Sequence, residues 1–108
     1  MERVQMTNGD LHQLDLNMQK LSTDYPAFVF LNKEKIKNFY QRNAMLLNII
    51  KEFGEALIKK YARHDREGNP VLIKKEGINH YTFIIPEVEQ TFVEKMAEFN
   101  NRTINVEL

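Results

Sequence analysis

The feature that most constrains this chain is a long segment with helical hydrophobic spacing and no proline. Apolar residues recur every three or four positions between Leu31 and Tyr61, and proline is absent from residue 27 to residue 69. This spacing predicts one helix of about thirty residues, about 45 Å long at 1.5 Å per residue. Gly54 is its weakest position, costing about 1 kcal/mol relative to alanine. Such a helix must pack along a second helix, kink near Gly54, or bury its ends against another chain.

Length and composition predict a soluble globular protein with a single domain spanning residues 1–108. The chain has 108 residues, 43% of them hydrophobic and 28% charged, which is enough for a core without covalent cross-links. The absence of cysteine from the sequence excludes disulfide frameworks and thiol nucleophiles. The polar N-terminus lacks the apolar run of a signal peptide, and apolar runs long enough to span a bilayer are missing, so we expect no membrane partner.

Shorter elements are predicted on both sides of the long helix. On the N-terminal side we expect a strand at Arg3–Met6, a turn at Asn8-Gly9, and a short amphipathic helix that begins with Asp10 as N-cap and reaches about Lys20. On the C-terminal side we expect a β-hairpin over about 71–85 with a loop at Lys74–His80, a helix from Pro86 to Asn100-Asn101, and a strand at Thr103–Leu108.

This order of elements predicts an α+β fold. We expect the long central helix to pack with two shorter helices, and the N-terminal strand, the hairpin and the C-terminal strand to form a small antiparallel sheet. Asn43 lies seven residues before Ile50, which lies seven before Leu57. It could therefore interrupt the apolar seam and set helix register, or it could flank the seam.

Zero net charge conceals a local asymmetry. Residues 33–66 carry nine basic and four acidic side chains, whereas residues 76–108 carry six acidic and two basic ones. The simplest interpretation is solvated helix faces of opposite sign. The alternative is a small nucleic-acid-binding or regulatory protein, in which the basic segment 33–66 presents a strip of Lys33, Lys37 and Arg42 with neighbouring aromatic rings for stacking on bases.

Catalytic and cofactor signatures are missing from the sequence. Its three histidines, His12, His64 and His80, are not spaced as a metal pair, and four glycines form no phosphate-binding loop. The acidic segment 65–69 lacks the alternating ligands of a calcium loop and is interpreted as a turn. Glu87 and Glu89 suit the first turn of a helix better than an acid–base pair. We therefore expect a protein that is not an enzyme, with no catalytic residues, metal or cofactor.

Several short motifs resemble a family of small proteins encoded by tailed phages and prophages. They are the strand leading through Asn8-Gly9 to Leu11, the basic helix with Lys33-Glu-Lys-Ile-Lys37, the run Leu57-Ile-Lys-Lys-Tyr61 before Asp65-Arg-Glu-Gly68, and the segment from Phe99 to Leu108. The family is a domain of unknown function without a catalytic signature. This chain departs from it at Ala27-Phe-Val-Phe-Leu31, where the family helix opens with small and hydroxyl residues.

These observations together favour a non-enzymatic phage-type accessory or small structural protein that acts through protein–protein contacts, in virion assembly for example. Its partner would be another protein or further copies of itself, and its location the host cytoplasm or the virion. The long helix carries this expectation, because a domain of 108 residues cannot readily bury it alone. The candidate interface residues are Phe28, Phe30, Leu31, Phe39 and Tyr40, for which the competing role is the intramolecular core.

Overall fold

A computed structural model describes residues 3–107 and confirms the α+β class. Within this range there are five helices and two antiparallel sheets of two strands each. The elements are β1 (Arg3–Thr7), α1 (Asn8–Asp24), α2 (Pro26–Leu31), α3 (Lys33–Arg42), α4 (Ala44–Tyr61), β2 (Leu72–Lys75), β3 (Ile78–Tyr81), α5 (Pro86–Asn100) and β4 (Thr103–Glu107). The expected strand residue Leu108 lies outside the described residues.

The chain groups into two compact units, while the expectation of a single domain stays a prediction. Unit 1 comprises residues 1–50 and 99–108, and unit 2 comprises residues 51–98. The expected single sheet is replaced by one sheet in each unit: β1 pairs with β4, and β2 pairs with β3.

The prediction of one uninterrupted helix from Leu31 to Tyr61 is wrong. The segment is divided among α2, α3 and α4, and the breaks fall at Asn32 and Asn43, whereas α4 continues through Gly54. The two asparagines adopt nearly the same non-helical backbone conformation, with φ −111° and ψ 17° at Asn32 and φ −111° and ψ 13° at Asn43.

Both breaks have the same local cause. The side-chain amide of Asn32 donates to the Phe28 carbonyl at 2.8 Å, and that of Asn43 donates to the Phe39 carbonyl at 2.9 Å. Each asparagine thus bonds the carbonyl four residues earlier with its side chain as well as its backbone N–H. Asparagine side chains that compete for backbone groups in this way interrupt helices. The next helix starts at once, because the Asn32 and Asn43 carbonyls accept from residues 36 and 47.

The helix α1 also begins differently from the prediction, at Asn8 rather than after Asp10. Thr7 is its N-cap: the Thr7 hydroxyl accepts from the Asp10 N–H at 3.1 Å, and the Asp10 carboxylate accepts from the Thr7 N–H at 3.2 Å. This reciprocal pair is a capping box. Asn8-Gly9 is therefore the first turn of a helix and not a separate turn, and α1 extends to Asp24 rather than Lys20.

In unit 1 the strands β1 and β4 pair antiparallel from Arg3 opposite Glu107 to Thr7 opposite Thr103. Two buried asparagines, Asn8 and Asn43, form hydrogen bonds to the backbone of Phe99 and Glu107 near the C-terminus. Asn8 donates from its side chain to the Phe99 carbonyl at 3.0 Å. Gly9 permits this close approach, since a β-carbon there would lie 3.2 Å from the Asn100 Cβ.

Asn43 forms the second link and is only 1% exposed. Its side-chain amide donates to the Glu107 carbonyl at 2.6 Å, and its side-chain oxygen accepts from the Glu107 N–H at 2.9 Å. The primary amide thus pairs with β4 much as a neighbouring peptide group would. The sequence left two roles open for Asn43, interrupting an apolar helix seam or flanking it. The observed role is a third one, because Asn43 pairs with strand β4.

In unit 2 the predicted hairpin is present, but its loop is shorter than expected. Leu72 pairs with Tyr81 and Lys75 with Ile78, so the turn consists of Glu76 and Gly77 alone. Their φ angles are 54° and 79°. Positive φ at both turn residues is required by the type I′ turn, whose twist matches the right-handed twist of the two strands.

Replacing Asn43 with alanine is expected to destabilise the protein by about 2–4 kcal/mol, because it leaves the Glu107 N–H and carbonyl without their partner. Asn43→Asp is expected to be as harmful, since a carboxylate cannot donate to the two carbonyls. Denaturant unfolding measures both effects. The control is Asn38→Ala at an exposed position of α3, expected within about 0.5 kcal/mol of wild type. Equal stability of all three variants would contradict the role of Asn43.

Two glycines are expected to respond oppositely to alanine. Gly54→Ala should raise the free energy of unfolding by about 0.5–1 kcal/mol, because Gly54 lies inside α4 and a β-carbon there meets nothing within 4 Å. Gly77→Ala should lower it by about 1 kcal/mol, because φ is +79°. Thermal or denaturant unfolding of the matched pair checks both signs, and a loss of stability in Gly54→Ala would contradict the uninterrupted course of α4.

Candidate functional site

The helix α2 is apolar, yet five of its six residues are exposed. Its sequence is Pro-Ala-Phe-Val-Phe-Leu, and none of its six residues is buried. Phe28 is 47% exposed, Phe30 73% and Leu31 81%. Large apolar side chains that cluster on a surface mark contact sites more often than isolated ones do.

Beside α2 lies an apolar groove of about 300 Å³, which we name the α1–α3 groove. Its apolar lining comes from α1, α2 and α3 and consists of Leu14, Met18, Leu21, Phe28, Ile36 and Phe39. The three residues from α1 fall at helical spacing on one face of that helix. Lys35 also lines the groove and places a positive charge on the α3 side.

The two most exposed residues of α2 lie elsewhere. Phe30 and Leu31 line a second concavity of about 430 Å³ together with residues 32–35, and neither lines the α1–α3 groove. We name these two residues the α2 knob. Phe28 and Phe30 are separated by about 200° around the helix axis, which accounts for their different surroundings.

Tyr40 is fixed by a contact inside unit 1. Its hydroxyl donates to the Asp15 carboxylate at 2.7 Å, and its ring meets Phe39 edge-to-face with centroids 5.5 Å apart. Desolvation, the hydrogen bond to Asp15 and the negative charge of Asp15 raise the pKa of Tyr40 to about 12. The five candidate interface residues are thus divided: Phe28 and Phe39 line the groove, Phe30 and Leu31 form the knob, and Tyr40 links α3 to α1.

The candidate basic strip does not lie on one face. Lys33 and Lys37 are one turn apart on α3, but Arg42 is nine residues from Lys33, which turns it by about 180° to the other side. All three side chains belong to exposed residues. A continuous cationic track along α3 would require them on the same side.

The other chemical candidates are dispersed. Asp65, in the segment interpreted as a turn, accepts from the Glu67 and Asn69 N–H groups at 2.9 and 3.0 Å, so its carboxylate is engaged by the turn itself. Glu87 and Glu89 lie in the first turn of α5. Residues 3–107 contain no group of three or more acidic or histidine side chains placed to hold a metal ion. None of the helices in that range is both long and apolar enough to cross a membrane.

Comparisons with known proteins give no relative for this chain: no family model, curated protein or solved structure matches it. The resemblance to the phage family therefore stays a prediction.

Sequence reasoning identified the apolar segment 27–31 but missed the groove beside it. Leu14, Met18 and Leu21 indicated an amphipathic helix, and their spacing could not show that the apolar face is only partly covered. The contact between Asp15 and Tyr40 joins residues 25 positions apart. Local spacing contains no signal for such a pair.

The raised pKa of Tyr40 predicts a loss of stability at high pH. The protonated hydroxyl is favoured in the folded state, so its contribution is present below about pH 10, the ordinary tyrosine value, and is lost as the pH rises towards 12. Ultraviolet titration should show a tyrosine ionising near pH 12, and Asp15→Asn should move this transition down towards the ordinary value. Tyr40→Phe should abolish it. Tyr25→Phe, at an exposed tyrosine, is the control, and persistence of the transition in Tyr40→Phe would contradict the assignment.

Proposed function

We propose that this protein is a non-enzymatic accessory or small structural protein that acts through protein–protein contacts, and that α2 with its surroundings is the contact surface. The observation that carries the proposal is that α2 is almost entirely apolar and has no buried residue. Exposure of such side chains to water is unfavourable by about 25 cal/mol per Å², which a partner surface would relieve.

The phage-type character, including a role in virion assembly, is part of the same proposal and rests on the motifs of the sequence. The departure from the family pattern is the segment Ala27–Leu31, which is also most of α2. The feature that distinguishes this chain from the family it resembles is therefore the exposed apolar surface. A location in the host cytoplasm or in the virion accords with this function.

The nucleic-acid alternative has less support. Lys33 and Arg42 point to opposite sides of α3, and the Tyr40 side chain is held by its hydrogen bond to Asp15. A binding strip of three cations would give an affinity that falls steeply with salt concentration.

The test is chemical cross-linking of the tagged full chain in expressing or infected cells. Lys33, Lys35 and Lys37 follow α2 directly and supply amines beside the surface. We expect these lysines to cross-link to another protein molecule, and the double variant Phe30→Ser/Leu31→Ser to lose the cross-links. The free energy of unfolding should change by less than about 1 kcal/mol, because both side chains are exposed. Met45→Ser is the matched control, since Met45 is 78% exposed but lies on α4.

Two results would overturn the proposal. One is a severe loss of stability in the double variant, which would place Phe30 and Leu31 in the core. The other is a monomer without protein cross-links that binds polynucleotide in a salt-dependent way abolished by charge reversal at Lys33, Lys37 and Arg42. The second result would establish the nucleic-acid alternative.

A further inference from the structure

We propose that the α1–α3 groove binds a linear alkyl carboxylate of about ten carbon atoms, with its chain along the groove and its carboxylate beside Lys35. A protein partner at α2 does not require such a ligand, so this inference goes beyond the proposed function. Three properties of the groove support it: its width, the difference in polarity between its two ends, and a cation without an acidic partner.

The groove is one hydrocarbon chain wide. Its lining residues extend from Leu14 to Leu21 on α1 and from Asn32 to Phe39 on α3, which in both cases is a length of about 10 Å at 1.5 Å per residue. A volume of about 300 Å³ over this length gives a cross-section of about 30 Å². A helix with its side chains is about 10 Å across and covers about 80 Å². The groove therefore admits a single extended chain but not a helix.

The same dimensions limit the length of the ligand. A cavity of about 150 Å³ binds benzene, which has six carbon atoms, so a groove of about 300 Å³ accommodates about twelve. An extended alkyl chain advances about 1.25 Å per carbon, given a C–C bond of about 1.5 Å, so a length of about 10 Å takes about eight. A chain of about ten carbons lies between these two limits.

One end of the groove is apolar and the other is polar. The hydrogen bond between Tyr40 and α1 brings the apolar residues Leu14 and Phe39 to the same end. Helix α2 joins α1 to α3 at the opposite end, and the two polar lining residues, Asn32 and Lys35, lie in the half of α3 nearest to it. A ligand with an apolar chain and a polar head group matches this arrangement.

The polar end of the groove is cationic. Lys35 is the charged residue of the groove lining, and within residues 3–107 no acidic side chain forms an ion pair with it. The groove shares Asn32 and Lys35 with the neighbouring concavity, which contributes Lys33 and a single acid, Glu34. The head group of the ligand therefore meets a net positive charge, for which a carboxylate is the complementary group.

Burial of the chain supplies the affinity, whereas Lys35 determines the orientation. Each methylene group that is fully removed from water strengthens binding about fourfold. Lys35 is exposed, and an exposed ion pair adds about fivefold at most. Because the groove is open to solvent along one side, burial of the chain is incomplete. For a ligand of this size we expect a dissociation constant on the order of 0.1 mM.

The test is isothermal titration calorimetry of the full chain with sodium decanoate below its micelle concentration. We expect saturable 1:1 binding whose affinity increases by about twofold to fourfold per carbon from hexanoate to decanoate and levels off beyond dodecanoate. Lys35→Glu should weaken decanoate binding about tenfold and remove the preference for decanoate over decyltrimethylammonium. Lys37→Glu is the matched control, because it makes the same charge change on α3 at an exposed residue that does not line the groove. Its affinity should stay within about twofold of wild type.

A second measurement locates the ligand. In protein labelled at its methionine methyl groups, the NMR signal of Met18 should shift when decanoate is added, and Met18→Leu assigns this signal. The signal of Met45, which is 78% exposed on α4, should not shift. Phe30→Ser/Leu31→Ser should bind decanoate as wild type does, because neither residue lines the groove. This result would separate the ligand site from the protein contact.

The inference is overturned by the absence of saturable decanoate binding, by equal affinity for decanoate and decyltrimethylammonium, or by an unchanged affinity in Lys35→Glu. It is also overturned if the Met18 signal responds to phosphatidylglycerol vesicles or to a protein partner but not to decanoate, because the groove would then have a different occupant. None of these results depends on loss of the protein cross-links in Phe30→Ser/Leu31→Ser, so the proposed function is tested separately.

Discussion

The pairing of Asn43 with Glu107 is the interaction on which unit 1 most depends. One primary amide satisfies the N–H and the carbonyl of a β4 residue and also the Phe39 carbonyl at the end of α3. The same side chain therefore ends a helix and anchors a strand that is 64 positions away. Because Asn43 is buried, losing its side chain would leave the N–H and the carbonyl of Glu107 without these hydrogen-bond partners away from water. Asn8 repeats the arrangement at the start of α1, where its side chain holds the Phe99 carbonyl.

The break at Asn32 has a different consequence, because it leaves α2 as a separate short helix. As a separate element, α2 directs Phe28 into the groove beside α1 and Phe30 away from it. The exposed apolar surface thus lies on a separate short helix, and Asn32 forms the end of that helix.

Sequence patterns predicted the elements that depend on local signals. Proline at residue 86 and asparagine at residue 100 mark the two ends of α5, and the alternating residues near both termini became β1 and β4. The predictions failed where a polar side chain acts on the backbone. Asparagine is only moderately unfavourable inside a helix. The helical spacing of apolar residues on both sides of Asn43 therefore favours a continuous helix when the sequence alone is considered. The sequence does not predict the tight turn at Glu76-Gly77, because a glutamate with positive φ is uncommon.

Of the candidate site, the sequence by itself determined that residues 26–31 are apolar and that lysines follow them, and it determined the α+β class through the order of its periodic segments. Tertiary structure decided the rest. Whether an apolar residue is buried depends on which surfaces lie opposite it, and hydrophobic periodicity is the same for a covered face and an uncovered one. Only the placement of α1 beside α3, fixed in part by the hydrogen bond between Tyr40 and Asp15, creates the groove. Long-range hydrogen bonds of this kind are formed by residues that share no local pattern, and for that reason they appear only in the folded chain.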